Sequence, residues 1–183
     1  MKPKKRRTSI EDAFLYTLPR YPDNRGTFVE AFRKSWTEKE YGGDVQMNCS
    51  HSRGGVVRGL HYHLRQTDYW FLASGRILVA LVDVRPFKST LGVVETIEME
   101  AGRPESLLIP PGVAHGYATL EPASLVYLVN RYFTGEDEYG LAWDDPELDI
   151  DWGVENPIVS QRDGSNPQFA ELNTSEIERI LAP

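Results

Sequence analysis

The stretch RGLHYHLRQTDYWFLASG, residues 58–75, contains the pattern that decides the fold. His61 and His63 are separated by one residue, and successive side chains of a strand point to opposite faces of its sheet. Both imidazoles would therefore share one face. The stretch ends at Gly75, in a tight turn that leads into the apolar run RILVALVDVR, residues 76–85. We predict a strand on each side of this turn.

Short apolar runs recur along the rest of the chain, separated by Gly, Pro and Asn. Such runs are typical of strands, and helical patterns are few. The sequence therefore predicts an all-β fold, a double-stranded β-helix or jelly roll with a few short helices. One helix is predicted to start at Ser175, where Glu178 completes a capping box. The other runs are TFVEAF (27–32), WFLAS (70–74), VVETIEM (93–99), SLLIPP (106–111) and SLVYLVNRYF (124–133).

Composition limits the classes of function. The chain has 183 residues, 40% hydrophobic and 26% charged, so we expect one domain over residues 1–183. No apolar run approaches the ~20 residues of a membrane span. The single cysteine, Cys49, suits a reducing compartment, so we expect a cytoplasmic protein without a membrane partner.

Charge is unevenly distributed along the chain. The first seven residues carry five of the 20 basic residues and no acidic one. We expect residues 1–8 to form a flexible basic arm. The remainder has 15 basic residues against 27 acidic residues, which argues against a nucleic-acid partner.

The histidines of the opening stretch allow a metal site. After them come Asp68, Gly75 and a third histidine, His115, in IPPGVAHGY. This order matches the two-part motif of metal-binding cupins, with Asp in the usual Glu position. Imidazole nitrogens and a carboxylate suit Zn, Mn, Fe or Ni. One hypothesis is therefore a metal-binding cupin that uses His61, His63, Asp68 and His115.

A second resemblance covers far more of the chain, from about Pro22 to Pro167. Its segments are DNRGTFVEAFR, QMNCSHSRGGVVRGLHYH, LVDVRPFKSTLG, LLIPPGVAHGYATL, LVYLVNRYF, EYGLAWDDPELDIDW and SQRDGSNP. In order and spacing they resemble the dTDP-4-dehydrorhamnose 3,5-epimerases, the metal-free RmlC branch of the cupins. The resemblance implies a homodimeric isomerase of deoxysugar biosynthesis that needs no cofactor and no metal.

The resemblance also implies a reaction and three catalytic residues. The substrate is a nucleotide-linked 4-keto-6-deoxyhexose, with dTDP as the expected nucleotide, and its ketone acidifies the hydrogens on C3 and C5. A base removes one of these hydrogens, and an acid returns a proton to the opposite face. His61 matches the base, Asp163 the carboxylate that orients it, and Tyr127 the acid. Histidine suits the first role because its unperturbed pKa is ~6.5.

A further group of residues falls where this family contacts the base, sugar and phosphates. Guanidinium groups suit a diphosphate because they donate two parallel hydrogen bonds. The ring of Tyr132 is expected to stack on the nucleobase. The expected substrate-binding residues are Arg25, Glu30, Gln46, Asn48, Arg58, His115, Tyr132, Glu138 and Arg162.

Two positions depart from the family pattern. Asp68 stands where the family usually has a lysine, and His63 where it has glutamine or another non-basic residue. The family lysine helps to hold the 4-keto oxygen as negative charge develops on it. A carboxylate would repel an enolate, so Asp68 cannot take over this role directly.

Three hypotheses therefore remain. In the first, Arg58, His115 or a protonated His63 holds the enolate, and the protein inverts C3, C5 or both. In the second, a metal ion replaces the lysine, but a metal-bound His61 has no lone pair left to act as a base. In the third, the protein binds a sugar nucleotide without catalysis. The retained aspartate and tyrosine favour the first hypothesis.

Overall fold

The computed structural model describes residues 2–37 and 41–182. Within them, strands form a six-stranded sheet, a five-stranded sheet and a separate two-stranded hairpin, which confirms the all-β prediction. The strands are β1 (Lys4–Arg7), β2 (Phe14–Thr17), β3 (Arg20–Asp23), β4 (Gly26–Val29), β5 (Gln46–Ser52), β6 (Val57–Tyr62), β7 (Asp68–Ser74), β8 (Arg76–Asp83), β9 (Val94–Glu100), β10 (Glu105–Ile109), β11 (Val113–Thr119), β12 (Ala123–Val129) and β13 (Tyr139–Gly140).

The two larger sheets form an antiparallel sandwich. Their strand orders are β1-β2-β10-β7-β12-β5 and β13-β6-β11-β8-β9. Neighbouring strands are mostly distant in sequence because the chain repeatedly crosses from one sheet to the other, as in a jelly roll. The predicted turn at Gly75 is one of these crossings, since β7 and β8 lie in different sheets. It does not close a hairpin.

Apolar side chains fill the space between the sheets and also cover their outer faces. On β8, Ile77 and Val79 are fully buried in the central core, while Ala80 and Val82 are fully buried in a second cluster on the other face. The segment that follows β13 provides much of this outer layer, including Trp152. This double coverage explains why β8 is apolar throughout instead of alternating.

Residues 4–7 of the basic arm form a strand, which the charge pattern did not predict. These residues form β1, which pairs with β2 and places Lys4 opposite Thr17. The ammonium group of Lys5 lies 3.5 Å from the centroid of the Phe14 ring. All four side chains of β1 are exposed, so composition did not reveal the backbone pairing that holds them.

Helical structure is sparse, as predicted. The helix α1 spans Thr174–Leu181, and 3₁₀ turns lie at Lys34–Trp36, Asp163–Ser165 and Phe169–Glu171. The predicted start of α1 at Ser175 is wrong, because the side chain of Asn173 accepts a hydrogen bond from the Glu176 amide at 3.2 Å and caps the helix earlier. No helix in the described ranges is long and apolar enough to cross a membrane.

Strands β6 and β11 approach unusually closely at one end of the sandwich. His115 lies opposite His61, and the register shifts between His115 and Tyr117. At this point Gly59 faces Gly116, and a Cβ on Gly116 would lie 2.6 Å from the carbonyl oxygen of Arg58. Only residues without a side chain allow the two backbones to come this near.

Gly116→Ala is therefore expected to destabilise the protein by about 1–3 kcal/mol, the usual cost of overpacking a filled site. Thermal unfolding followed by circular dichroism would measure the change. Gly42→Ala is the control, because no atom lies within 4 Å of a Cβ placed there. Equal melting temperatures for the two variants would contradict the proposed close contact.

Candidate active site

A cavity of about 290 Å³ opens between the two sheets at the end where β6 and β11 meet. Strands from both sheets contribute to its wall, because each turns its inward-facing side chains toward the cavity. The cavity brings together many of the residues singled out in the sequence. These are Gln46, Asn48, Arg58, His61, His63, Asp68, His115, Tyr127, Glu138 and Arg162.

His61 forms a close pair with Asp163. The Nε2 atom of His61 lies 2.7 Å from a carboxylate oxygen of Asp163, although the residues are 102 positions apart. The other carboxylate oxygen accepts a hydrogen bond from the backbone amide of Gly59 at 3.3 Å. The Asp163 side chain is 5% exposed and that of His61 is 28% exposed. The predicted His–Asp pair is therefore present, with the imidazole facing the cavity.

The pairing determines which nitrogen of His61 can act. An ionised carboxylate only accepts hydrogen bonds, so Nε2 carries the hydrogen and Nδ1 carries the lone pair. Burial opposes ionisation of Asp163, but the hydrogen bonds from His61 and Gly59 outweigh it and hold the pKa of Asp163 below its ordinary value. Asp163 is therefore a carboxylate at neutral pH, able to stabilise a protonated imidazole.

Tyr127 lies on the facing sheet. It is half-buried on β12, which belongs to the six-stranded sheet, whereas His61 lies on β6 of the five-stranded sheet. Burial, and next the negative charge of Asp68, raise the pKa of Tyr127. The phenol therefore keeps its proton at neutral pH and can donate it from the wall opposite His61.

The other two cavity histidines cluster with Asp68. His63, Asp68 and His115 are each at most 6% exposed, and one ligand atom from each lies within 4.8 Å of the others. The Nε2 atom of His115 is 3.7 Å from a carboxylate oxygen of Asp68. Burial lowers the pKa of His115 to about 4, so this imidazole is neutral at pH 7. Of the four candidate metal ligands in the sequence, His61 is outside this cluster.

Polar and charged groups line the entrance to the cavity. A guanidinium nitrogen of Arg162 lies 3.3 Å from a carboxylate oxygen of Glu138, and Arg58 donates to the hydroxyl of Ser52 at 3.0 Å. The side chain of Gln46 donates to that of Asn48 at 3.0 Å. These residues offer donors and cations for an anionic ligand.

Three expected substrate-binding residues do not reach this cavity. Arg25 is exposed on the β3–β4 hairpin and pairs with Asp23 at 2.7 Å. Glu30 forms an ion pair with Arg33 at 2.6 Å. Tyr132 is 62% exposed and faces a neighbouring groove. Their roles in ligand binding remain predictions.

Some cavity residues escaped the sequence analysis. Ser50 shares the inward face of β5 with Gln46 and Asn48, so extending the alternation by one step would have found it. Trp70 could have been found in the same way from Asp68. Phe133, 66% exposed at the cavity mouth, gave no such signal because it follows the end of a strand.

A family model described as dTDP-4-dehydrorhamnose 3,5-epimerase matches residues 7–171. The chain belongs to this family. The match spans β2 to β13 and the segment that carries Asp163, so the whole of the cavity described above falls within it. The family resemblance of the sequence is thereby confirmed.

Individual proteins are similar to this chain in sequence or in fold. A Shigella flexneri enzyme of that name is 32% identical over 174 residues, covering 91% of this chain and 96% of that protein. The Bacillus subtilis spore coat polysaccharide biosynthesis protein SpsL is 35% identical over 150 residues, covering 80% and 98%. The Legionella pneumophila RmlC structure in complex with dTDP-4-keto-L-rhamnose has a TM-score of 0.87 at 28% identity, covering 96% of each chain. The predicted RmlC-type jelly roll is therefore confirmed.

Asp163→Asn is expected to slow proton removal from a bound ketone by roughly 10²–10⁴-fold, the typical contribution of acid–base catalysis. His61 and Gly59 donate to different oxygens of Asp163, and a carboxamide replaces one of these acceptors with an NH2 donor and also removes the negative charge. The measurement is the rate of solvent deuterium uptake by the sugar, with dTDP affinity as a test of folding. Asp151→Asn, at an exposed site, is the control. A rate within twofold of wild type would contradict this role for Asp163.

Proposed function

We propose that this protein is an epimerase that inverts C3, C5 or both in a dTDP-linked 4-keto-6-deoxyhexose. The observation that carries the proposal is the His61–Asp163 pair at 2.7 Å, with Tyr127 on the facing wall of the same cavity. The named activity of the relatives and the sugar nucleotide in the Legionella structure support the choice of substrate. The product would serve deoxysugar biosynthesis.

His61 is the proposed base. Its Nδ1 lone pair removes the hydrogen on a carbon next to the ketone, and the electron pair moves to the keto oxygen as an enolate. The imidazole becomes a cation beside the buried carboxylate of Asp163, which stabilises it. The reaction thus begins from a neutral His61. The negative charge of Asp163 stabilises the imidazole once it has taken up the proton.

Tyr127 is the proposed acid. Inversion requires that the returning proton reach the opposite face of the carbon, and Tyr127 approaches from the opposite sheet. Its raised pKa keeps the phenol protonated until the enolate has formed. A base and an acid fixed on different sheets thus explain inversion, where a single group would return the proton to its original face.

The cavity entrance suits the nucleotide. Arg58 and Arg162 are both exposed cations and can bind the two phosphates, while Gln46 and Asn48 present amide donors and acceptors on β5. Phe133 offers an exposed ring for stacking, close to the predicted Tyr132. Positive charge is required only at this entrance, so an acidic protein can bind an anionic ligand.

We infer a homodimer in the cytoplasm. In the part of the chain that the structure describes, β5 is the last strand of its sheet, and Phe28 and Met47 are 68% and 69% exposed. Arg25 and Glu30 sit on or beside the β3–β4 hairpin away from their own cavity, so a contact with nucleotide would require a second chain. The exposed free Cys49 supports a reducing compartment.

Incubation with dTDP-4-keto-6-deoxyglucose in deuterated buffer tests the proposed function. The wild-type protein should incorporate deuterium at C3, C5 or both, as read by NMR, and His61→Ala should reduce the rate by at least ~10²-fold. His51→Ala is the control, because His51 is exposed on the outward face of β5. Tight binding of the sugar nucleotide without any exchange would indicate a non-catalytic binding protein.

Tyr127→Phe should separate the two halves of the reaction. The base remains, so deuterium uptake should continue, while formation of the inverted sugar should fall by roughly 10²-fold because the acid is absent. Tyr139→Phe is the matched control: Tyr139 is half-buried but stacks on Tyr62 outside the cavity. Wild-type yield of inverted product from Tyr127→Phe would remove Tyr127 from this role.

A further inference from the structure

The buried cluster of His63, Asp68 and His115 plays no part in the proton transfers described above. Its members come from three places: the residue after β6, the first residue of β7 and the middle of β11. All three line the active-site cavity. Two imidazoles and a carboxylate thus converge within 4.8 Å beside the proposed base.

Both imidazoles of the cluster are held by backbone carbonyl groups. The Nδ1 atom of His63 lies 2.5 Å from the carbonyl oxygen of Asp137, and that of His115 lies 2.9 Å from the carbonyl oxygen of Val113. A carbonyl oxygen only accepts, so each Nδ1 carries the hydrogen and each Nε2 carries a lone pair. This arrangement is how proteins fix the tautomer and orientation of metal-binding histidines.

The buried carboxylate of Asp68 accepts hydrogen bonds only from neutral donors among the described residues. Its side chain is 4% exposed, and its oxygens accept from the neutral donors Gln66 at 2.8 Å and Trp70 at 3.2 Å. Among the residues that the structure describes, no lysine or arginine forms an ion pair with Asp68. A buried carboxylate without a cation is costly, which favours a positive ligand here.

The distance between His115 and Asp68 is longer than that of a hydrogen-bonded pair. His115 and Asp68 face each other at 3.7 Å, whereas His61 and Asp163 in the same cavity lie 2.7 Å apart. Two ligand atoms that share a cation at 2.0–2.2 Å are separated by roughly 3–3.5 Å, so this pair would need only a small contraction to bind one. The gap matches a bridging ion better than a direct bond.

We propose that His63, Asp68 and His115 bind one divalent transition-metal ion of the Zn²⁺ type. The ligand set of two imidazole nitrogens and one carboxylate oxygen selects such ions over Mg²⁺ and Ca²⁺, which prefer oxygen. Because three protein ligands leave a position open, the bound ion can polarise a ketone oxygen. This role, unlike the binding itself, rests on the proposed function.

The geometry removes the conflict between metal binding and base catalysis. His61 is directed to Asp163 and is not needed as a ligand, so its Nδ1 lone pair stays available. The positive charge would lie at Asp68, where the family resemblance places a lysine. The same cluster therefore accounts for both departures from the family pattern, the histidine at 63 and the aspartate at 68.

Metal titration of the purified full chain tests the site. After treatment with a chelator and its removal, Zn²⁺ should bind at one ion per chain by calorimetry, and Co²⁺ should produce visible absorption bands. Asp68→Asn and His63→Gln should each weaken binding more than ~100-fold, since changing residues that only orient metal ligands already costs about 10–100-fold. Retained dTDP binding and circular dichroism would show that these variants are folded.

Two control variants test whether metal binding depends on this cluster and not on other histidines. His61→Asn, in the same cavity but outside the cluster, and the exposed His51→Gln should both keep one ion per chain. Failure of wild type to bind a stoichiometric ion, or loss of binding in His51→Gln, would overturn the proposal.

Deuterium exchange by metal-free and metal-loaded protein tests the role of the ion. Exchange that falls after chelation and returns with Zn²⁺ supports ketone polarisation. Equal exchange in both forms would overturn that role and leave the proposed epimerase intact. Stoichiometric binding with no exchange in either form would instead contradict the proposed function and support the metal site alone.

Discussion

The close approach of β6 and β11 at Gly59 and Gly116 is the constraint on which the site depends. It places His61 opposite His115, and it leaves the Gly59 amide free to hold Asp163. A side chain at either glycine would separate the strands and move both histidines. His61, Asp163 and His115 are thus positioned by one backbone contact.

The division of the cavity histidines follows from their backbone surroundings. His61 meets a carboxylate at hydrogen-bond distance, whereas His63 and His115 each donate to a carbonyl group and direct their other nitrogen inward. The three histidines therefore suit two different tasks: His61 suits proton transfer, and His63 and His115 suit metal binding. The sequence alone left His61 with both roles open, because alternation along a strand gives the face of a side chain but not its partner.

Much of the fold could be predicted from the sequence, since strand runs and turn residues are local signals. The strand-forming runs around β7, β8 and β12 were located within a few residues. The pairing of β1 could not be predicted, because its exposed side chains carry no burial pattern. The partner of His61 lies 102 residues away on a 3₁₀ turn, and only the family resemblance indicated it. No local signal in the sequence indicated that Arg25, Glu30 and Tyr132 lie away from the cavity.

Asp163 belongs to the outer layer that covers the five-stranded sheet. The active site is therefore complete only after this layer has packed against the strands. The strands of the sandwich are complete by residue 140, yet His61 gains its carboxylate only when the following segment packs against them. During synthesis from the N-terminus, the sandwich can form before the base is paired. Catalytic competence would then be the last property that the folding chain acquires, because the same late segment supplies both the carboxylate for His61 and Arg162 at the cavity entrance.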